Sequence, residues 1–378
     1  MNRIYRLIWN ADLYRWLVVP EIAKRHGKPS SVARVAAHHG QGGFFGFLRH
    51  ETDTSPPPWR WKTALCYLLA LQQVMVPTIA TPPAIVADGR TQTAVANHGA
   101  VTNITTGTVR GNNAFNSFST FNVAQGQTAN LFLPNGTLNL INLVRDQRTT
   151  IEGILNSIKD GKIGGNVYFA NPHGFLVSAS GVVNVGSLNL STPTPAFIDS
   201  FFSAPGNPND ASVASLLNGT APRSGSGLIS VLGQINAIDG IALSAGAINV
   251  GGSLYAGARF VGSAPNFTDV VNANGLASAT NVVVREGRIE IVADGDVSVS
   301  GTIAAPGGSS VRGGDVSIRA GGNVDLQNGA LVAARGNGDN SAGGTVNIWA
   351  DNDAISRKGA LVDASAGASG DGGFVEFS

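Results

Sequence analysis

The chain has 378 residues, of which 49 are glycine and only 13% are charged, whereas soluble proteins average about 7% glycine and about 25% charged residues. Its hydrophobic fraction of 43% is that of a globular protein and its glycines have no three-residue period, so disorder and collagen are both excluded. The formal net charge is +1, but residues 1–62 carry ten of the 25 basic residues, and residues 88–378 keep 15 basic against 20 acidic residues. A nucleic-acid partner is therefore not expected for the second part, and the composition predicts a β-rich protein with many turns.

Residues 1–80 have the pattern of an extended signal peptide, with an N-terminal extension over 1–59 and a signal core over 60–80. Within the basic extension, stretches 1–10 and 21–28 resemble the extended signal peptide region of very large Gram-negative exported proteins. That resemblance implies delivery to the Sec machinery and passage into the periplasm. The alternative for the extension is a disordered tail.

The signal core contains an apolar run over residues 63–71, and Pro77 stops it short of the roughly 20 apolar residues that a spanning helix needs. The alternative is a buried or anchoring helix. Small residues predict cleavage after Ala80, with Ala87 as a second candidate. The only cysteine, Cys66, lies in the apolar run, so the mature chain has no disulfide and depends on packing alone.

Three stretches of residues 88–300 predict short helices in an otherwise strand-like pattern. Residues 149–161 begin with the capping-box pattern Thr-Thr-Ile-Glu, continue with spaced apolar residues and end at a glycine. Residues 194–202 begin with Thr-Pro, and residues 210–219 begin with an aspartate and end at a glycine. We interpret these helices as excursions that cover the flank or the end of the main fold.

Within residues 95–260, three stretches combine Asn, Gly, aromatic and aliphatic residues in a specific order: 112–123, 164–175 and 179–188. They resemble the secretion domain of filamentous haemagglutinin-type two-partner secretion exoproteins, with the leukotoxin-like filamentous adhesins most similar. The resemblance implies that a secretion domain over 88–300 engages the periplasmic POTRA domains of a dedicated outer-membrane transporter, by addition of strands to a sheet edge. It also implies folding outside the cell and a secreted or cell-surface location in a Gram-negative bacterium.

The family's Asn-Pro-Asn-Gly-Ile motif stands here as Asn171-Pro172-His173-Gly174-Phe175, and the stretches nearest to its Asn-Pro-Asn-Leu motif are 133–136 and 139–140. Asn-Pro-x-Gly predicts a turn, because proline fixes φ, asparagine bonds nearby backbone and glycine tolerates positive φ. Two interpretations remain open for Asn171, Pro172, His173 and Gly174. The turn either only joins one strand to the next, or it also supports the secretion-competent form and contacts the transporter.

The last part, residues 301–378, contains an internal repeat. Copies of one strand pattern begin at Gly313, Gly343 and Gly372, spaced by 30 and 29 residues. Alternation along the strands predicts two stacked inward columns, namely Val316, Val346 and Val375, and Ile318, Ile348 and Phe377.

The in-phase return of the same strand every 28–30 residues predicts an all-β fold, a right-handed parallel β-helix (β-solenoid) with a few short helical excursions. An antiparallel sandwich would instead predict hairpins. The third repeat stops after 20 residues, so we expect the chain to be truncated within a longer exoprotein.

Catalysis and metal binding are disfavoured by the scattered acidic residues. The closest carboxylate pair, Asp294 and Asp296, has the spacing to share a strand face but has no arginine or lysine nearby in the sequence. Residues 336–340 resemble a single turn of calcium-binding repeats and are expected to be a solvated turn. No metal and no cofactor are predicted.

The sequence therefore predicts a non-enzymatic, exported filamentous adhesin whose N-terminal secretion domain is recognised by an outer-membrane POTRA-barrel transporter and nucleates folding outside the cell. Its surface receptor, on host cells or other bacteria, is not identified. The alternatives are an autotransporter-like passenger, which would need a C-terminal barrel in the same chain, and a β-helical polysaccharide-degrading enzyme.

Overall fold

The structure is a computed structural model that describes residues 5–10, 15–20, 84–257 and 286–378. The chain divides into two compact units, Met1–Met75 and Val76–Ser378. In the first unit, β1 (Tyr5–Asn10) pairs with the antiparallel strand β2 (Arg15–Pro20). The predicted signal core, with Cys66 and Ala80, lies outside the described residues.

The described residues of the second unit form short strands and two helices, α1 (Pro195–Asp199) and α2 (Asp210–Leu217). The strands, in chain order, are β3 (Val86–Ala87), β4 (Thr93–His98), β5 (Val101–Thr106), β6 (Val109–Arg110), β7 (Asn113–Thr120), β8 (Asn122–Val123), β9 (Thr128–Phe132), β10 (Asn139–Val144), β11 (Thr149–Ile151), β12 (Ile154–Lys159), β13 (Lys162–Ile163), β14 (Asn166–Ala170), β15 (Phe175–Val177), β16 (Val182–Ser191), β17 (Phe202–Ala204), β18 (Asn207–Pro208), β19 (Leu228–Val231), β20 (Gln234–Ala245), β21 (Ala247–Val250), β22 (Ser253–Ala256), β23 (Arg288–Ala293), β24 (Val297–Val299), β25 (Thr302–Ala304), β26 (Asp315–Ala320), β27 (Val324–Leu326), β28 (Leu331–Ala333), β29 (Thr345–Ala350), β30 (Ala354–Ser356), β31 (Leu361–Asp363) and β32 (Phe374–Phe377).

These strands form a parallel β-helix, because each coil contributes one strand to each of three parallel stacks. Stack 1 holds β7, β10, β14, the second half of β16, the second half of β20, β23, β26, β29 and β32. Stack 2 holds β8, β11, β15, β19, β21, β24, β27 and β30. Stack 3 holds β5, β9, β12, the first half of β16, the first half of β20, β22, β25, β28 and β31.

The described residues thus form eight complete coils, with β5 stacked before the first coil and β32 after the last. The coils are, in order, β7–β9; β10–β12; β14, β15 and the first half of β16; the second half of β16, β19 and the first half of β20; the second half of β20, β21 and β22; β23–β25; β26–β28; and β29–β31. The strand β16 bends from stack 3 to stack 1 at Gly186, where its pairing register with β20 shifts. An added Cβ at Gly186 would meet the Gly165 backbone, so glycine fits this corner.

The predicted stacking register is confirmed. Val316 pairs with Val346, which pairs with Val375, and Ile318 is followed in the same way by Ile348 and Phe377. In β26 and β29 these side chains are buried in a single apolar core that extends along the coils, whereas all residues of β32 are exposed. The parallel β-helix predicted from the repeat is therefore the observed fold.

The helix predicted over residues 149–161 is wrong, because β11 and β12 occupy this stretch. β11 pairs in parallel with β8 and β15, and β12 with β9 and β16. Gly153 forms the corner between them, since an added Cβ would meet the carbonyl oxygens of Gln127 and Ala124. The capping box is a local preference, and the ladders to two neighbouring coils outweigh it.

The other two predicted helices are present as α1 and α2. The Thr194 side chain accepts a hydrogen bond from the Phe197 N–H at the start of α1, and Asn209 caps α2 in the same way. The excursion over residues 192–226, here called the strap, leaves the β-helix after β16 and returns at β19. Neither α1 nor α2, nor any helix elsewhere in the described ranges, is long and apolar enough to cross a membrane.

Antiparallel strands cover the N-terminal end of the core. β4 and β5 form a hairpin, β5 pairs with β9 of the first coil, and β3 and β6 pair antiparallel with β7. Ile85 and Val95 pack against the core from this cap. The parallel stacking thus starts on strands that pair locally in the sequence.

Candidate functional site

The Asn171-Pro172-His173-Gly174 stretch forms the turn from β14 in stack 1 to β15 in stack 2. Asn171 is fully buried, and its side-chain Nδ2 donates to the Gln147 carbonyl at 2.8 Å and to Thr149 Oγ1 at 3.0 Å. Its Oδ1 accepts the His173 N–H at 2.9 Å. One amide therefore fixes the turn internally and also ties it to the preceding coil.

Gly174 closes the turn in a conformation that only glycine adopts easily. Its φ is +93°, its N–H donates to the Asn171 carbonyl at 3.1 Å, and its own carbonyl accepts the Thr149 N–H at 3.1 Å. An added Cβ would collide with the Leu228 carbonyl oxygen of the next coil. The predicted turn is therefore packed between the coil before it and the coil after it.

His173 is the exposed residue of the turn, and its ring contacts the backbone of Arg145, which belongs to a group of charged residues. Its ring Nε2 lies 2.9 Å from the carbonyl oxygen of Arg145. The Arg145 guanidinium is 2.8 Å from Asp199 Oδ1 in the strap and 4.0 Å from Asp88 Oδ2 beside the cap. The turn, the strap and the N-terminal cap therefore meet around Arg145.

The second motif stretch, 133–136, forms the turn from β9 to β10. Thr137 bonds back to the Pro134 carbonyl through its N–H at 3.1 Å and its hydroxyl at 2.7 Å, and Gly136 has a φ of +79°. Asn135 is exposed, in contrast to the buried Asn171. The structure therefore gives the two asparagines different environments.

A ladder of asparagines along stack 3 was not predicted from the sequence. Each amide Nδ2 donates to the Oδ1 of the preceding coil's asparagine at 2.9–3.0 Å, and the members are Asn103, Asn130, Asn156, Asn184 and Asn236. The last four are buried. The sequence did contain a signal for this ladder. From Asn130 to Asn236, the successive asparagines stand beside aliphatic residues and are 26, 28 and 52 residues apart.

The strap forms a second apolar core against the outer surface of stack 1. Its Ile198, Phe201, Phe202, Val213, Leu216 and Ala221 pack with four residues of coils one to three, namely Phe115, Ile141, Leu143 and Ala170. Phe115 forms a three-ring cluster with two strap aromatics, since its ring centroid is 6.3 Å from both Phe201 and Phe202 and these two are 5.4 Å apart. Tyr168 packs at the edge of this core, and burial raises the pKa of its phenol above the ordinary value of 10.0.

The carboxylate pair is not arranged as the sequence suggested. Asp294 and Asp296 lie in the turn between β23 and β24 rather than on one strand face. Arg223, distant in sequence, forms an ion pair with Asp294 Oδ1 at 2.6 Å, and Asp296 Oδ1 accepts the Asn323 N–H at 2.7 Å. Asp294 thus binds the strap, and Asp296 binds the next coil.

The stretch 336–340 is a surface loop in which the Asp339 carbonyl accepts the Ser310 N–H at 3.0 Å. Within residues 84–257 and 286–378, no three His, Cys, Asp or Glu side chains are grouped closely enough to hold a metal ion.

Of the two candidate cleavage residues, only Ala87 falls within the described residues. It belongs to β3, where it pairs with Phe118 of β7, and the preceding Ala84 carbonyl accepts the Thr120 hydroxyl at 2.8 Å. Cleavage after Ala87 would therefore remove a strand of the cap, whereas cleavage after Ala80 would retain it.

These features define a class of protein: a β-solenoid built on a locally paired N-terminal cap and held by packing rather than by disulfides. Family models narrow the class. The model described as the TPS secretion domain matches residues 84–360, and the model described as the extended signal peptide of the type V secretion system matches residues 1–48. The chain therefore belongs to the family of two-partner secretion (TPS) domains.

Comparisons with solved structures and with curated proteins are less specific than the family models. The chain is similar to the crystal structure of the HMW1 secretion domain from Haemophilus influenzae, with 18% sequence identity and a TM-score of 0.36, over 77% of this chain and 92% of that one. No curated protein matches the chain in sequence.

Membership of this family defines the export route. The protein is a secreted exoprotein of a Gram-negative bacterium that passes through the periplasm, with a signal peptide for the Sec machinery and an outer-membrane transporter as its partner. The family is one of secretion domains and not of enzymes.

Proposed function

We propose that the secretion domain is recognised, before it folds, by the periplasmic POTRA domains of the outer-membrane transporter. The observation that carries the proposal is the parallel register, in which both edges of each interior strand are occupied by neighbouring coils. Those edges are free only in the unfolded chain, where short amphipathic strands suit addition to a sheet edge of the transporter.

Folding outside the cell then proceeds from the cap, coil upon coil. The cap strands pair across short sequence distances, so they form without the later coils. Each later coil buries apolar side chains on the coil before it, and this burial opposes backward sliding of the chain. The absence of cysteine after residue 66 keeps the chain free of disulfides that would block threading.

The Asn171–Gly174 turn supports this step by holding three coils in register. Asn171 bonds to the coil before it and Gly174 fits against the coil after it. We assign the turn a shaping role in reaching the folded, secreted form, with the exposed His173 as the side chain available for contact with the transporter.

Calorimetry with the purified POTRA domains tests the recognition step. The secreted chain diluted from denaturant is expected to bind, and the same chain after refolding is expected to bind at least tenfold more weakly. Equal affinity of the two forms would rule out recognition by strand addition.

We further propose that the exoprotein acts as an adhesin, on the basis of its resemblance to filamentous adhesins. Bacteria that secrete the chain are expected to adhere to host or bacterial cells more than bacteria with the transporter alone. Equal adherence of the two strains would contradict the adhesive role.

A further inference from the structure

The two ends of the strap bond to each other. At its start, the Thr194 N–H donates to the Pro222 carbonyl at 2.8 Å. At its end, the Ser224 N–H donates to the Thr192 carbonyl at 2.8 Å, and an antiparallel bridge lies between these two bonds. All of these residues belong to the strap, so its two ends can join as soon as the strap itself is free to fold.

Between its joined ends, the strap reaches back over coils one to three to the N-terminal cap. The Gly206 N–H of the strap donates to the Arg90 carbonyl, which precedes β4, at 2.7 Å. Arg110 of the cap strand β6 donates to the Pro208 carbonyl at 2.9 Å and forms an ion pair with Asp210 at 3.0 Å. The strap therefore connects the fourth coil, where it begins, directly to the start of the β-helix.

The apolar residues that the strap covers all precede it in the sequence. Ile198 and Phe201 of the strap are almost fully buried, and the covered residues of coils one to three are Phe115, Ile141, Leu143 and Ala170. The strap also contacts later coils, but at its joined ends, where the Thr192 N–H donates to the Ser244 carbonyl of coil five at 3.0 Å. The whole strap core lies within residues 84–226, so it can form before coils five to eight exist.

We propose that the strap is a latch that closes outside the cell once residues 84–226 have emerged, and that its closure makes export of the first coils irreversible. A solenoid without such a connection can unravel one coil at a time from its end. With the strap closed, unravelling of coil three or two also breaks the strap core and the contacts with the cap. This inference rests on the proposed folding outside the cell and adds to it a step at a defined position in the chain.

Pulsed hydrogen exchange during refolding of the secreted full chain tests when the strap closes. Amides of residues 192–226 are expected to become protected at least tenfold faster than those of β26 and β29, because the strap core needs no residue beyond 226. Protection of the strap together with β26 and β29, or after them, would overturn the proposal.

A pulse-chase secretion assay tests whether closure prevents backward sliding. Phe201→Asp places a carboxylate against Phe115 and opens the strap, whereas Ala214→Asp adds the same charge at an exposed position of α2. Secretion of Phe201→Asp is expected to be at least fivefold slower than that of the wild type, and Ala214→Asp is expected to match the wild type. Equal rates for all three chains would contradict the latch.

A second pair of variants separates the latch from general loss of stability. Ile198→Ala removes part of a buried side chain from the strap core, and Leu243→Ala removes a similar volume from the inner core in coil five. Coil five forms after the strap has closed, so Ile198→Ala is expected to slow secretion at least twofold more than Leu243→Ala. Equal slowing by the two variants would show that the strap contributes only to stability.

These results are distinguishable from failure of the proposed function. Recognition by the POTRA domains precedes folding, so the denatured wild-type and Phe201→Asp chains are expected to bind these domains equally. Equal binding together with equal secretion rates would overturn the latch alone. Absence of binding by the denatured wild-type chain would overturn recognition by strand addition, and the order of protection during refolding would still decide whether the strap closes early.

Discussion

At the residue scale, the asparagine ladder stabilises the first coils through bonds between side chains of adjacent coils. Each interior asparagine uses its amide as a donor toward one coil and as an acceptor toward the other. Because these groups are buried, removal of one member leaves two polar atoms without water or a partner.

Asn156→Ala tests the ladder at its centre. The change leaves Asn130 Oδ1 and Asn184 Nδ2 unpaired and is expected to lower the free energy of unfolding by about 2 to 5 kcal/mol. Asn112→Ala, at an exposed position, is the matched control and is expected to change it by less than about 0.5 kcal/mol. Similar losses in chemical denaturation of the two variants would show that the ladder does not contribute.

Gly174→Ala and His173→Ala separate the shape of the turn from its exposed side chain. Gly174→Ala combines a positive φ with a collision at Leu228 and is expected to cost about 2 to 3 kcal/mol. His173→Ala removes one bond and is expected to cost about 1 kcal/mol. Secretion assays should show the larger defect for Gly174→Ala, and the reverse order would assign the main role to direct contact by His173.

Tyr168 reports on the strap through its ionisation. Burial raises its pKa in the folded chain, so the unfolded state ionises first as the pH rises, and stability is lost from about pH 10 upward. Unseating the strap with Phe201→Asp should bring the pKa of Tyr168 back toward 10. A spectrophotometric titration checks this, because the chain after residue 83 has only Tyr168 and Tyr255, and an unchanged titration would place the strap away from Tyr168.

At the element scale, the sequence predicted the helices and strands that depend on residues close in the chain. It did not predict structure that depends on pairing with distant residues. α1 and α2 begin at local caps, and the repeat strands follow from alternation and spacing. The 149–161 stretch has an equally good local helix signal, but its strands pair with coils on both sides. The Arg145 group joins residues that only the fold brings together, so it could not be located from the sequence. The asparagine ladder left a regular spacing in the sequence, but the bonds between its members follow only from the stacking of the coils.

β3 predicts where the mature chain begins. Its pairing with β7 and the bond from Thr120 to the Ala84 carbonyl are retained only if cleavage occurs upstream of residue 84. Intact mass spectrometry of the secreted protein should therefore give Thr81 as the first residue. A first residue of Asp88 would show that the cap forms without β3.

At the scale of the whole molecule, stability is expected to decrease from the first coils to the last. Three features stabilise coils one to three: the inner core, the asparagine ladder and the strap core. Of these features, coils six to eight have only the inner core. A solenoid is stabilised by each unit and its contacts with the neighbouring units, so extra contacts in the first coils make them the nucleus for the rest.

Hydrogen exchange on the secreted chain, followed by mass spectrometry, tests this nucleus most directly. Amides of β10 and β14 should exchange most slowly, and those of β26 and β29 should exchange faster under the same conditions. Slower exchange in β26 and β29 than in β10 and β14 would place the nucleus at the other end of the β-helix and contradict folding that starts from the cap.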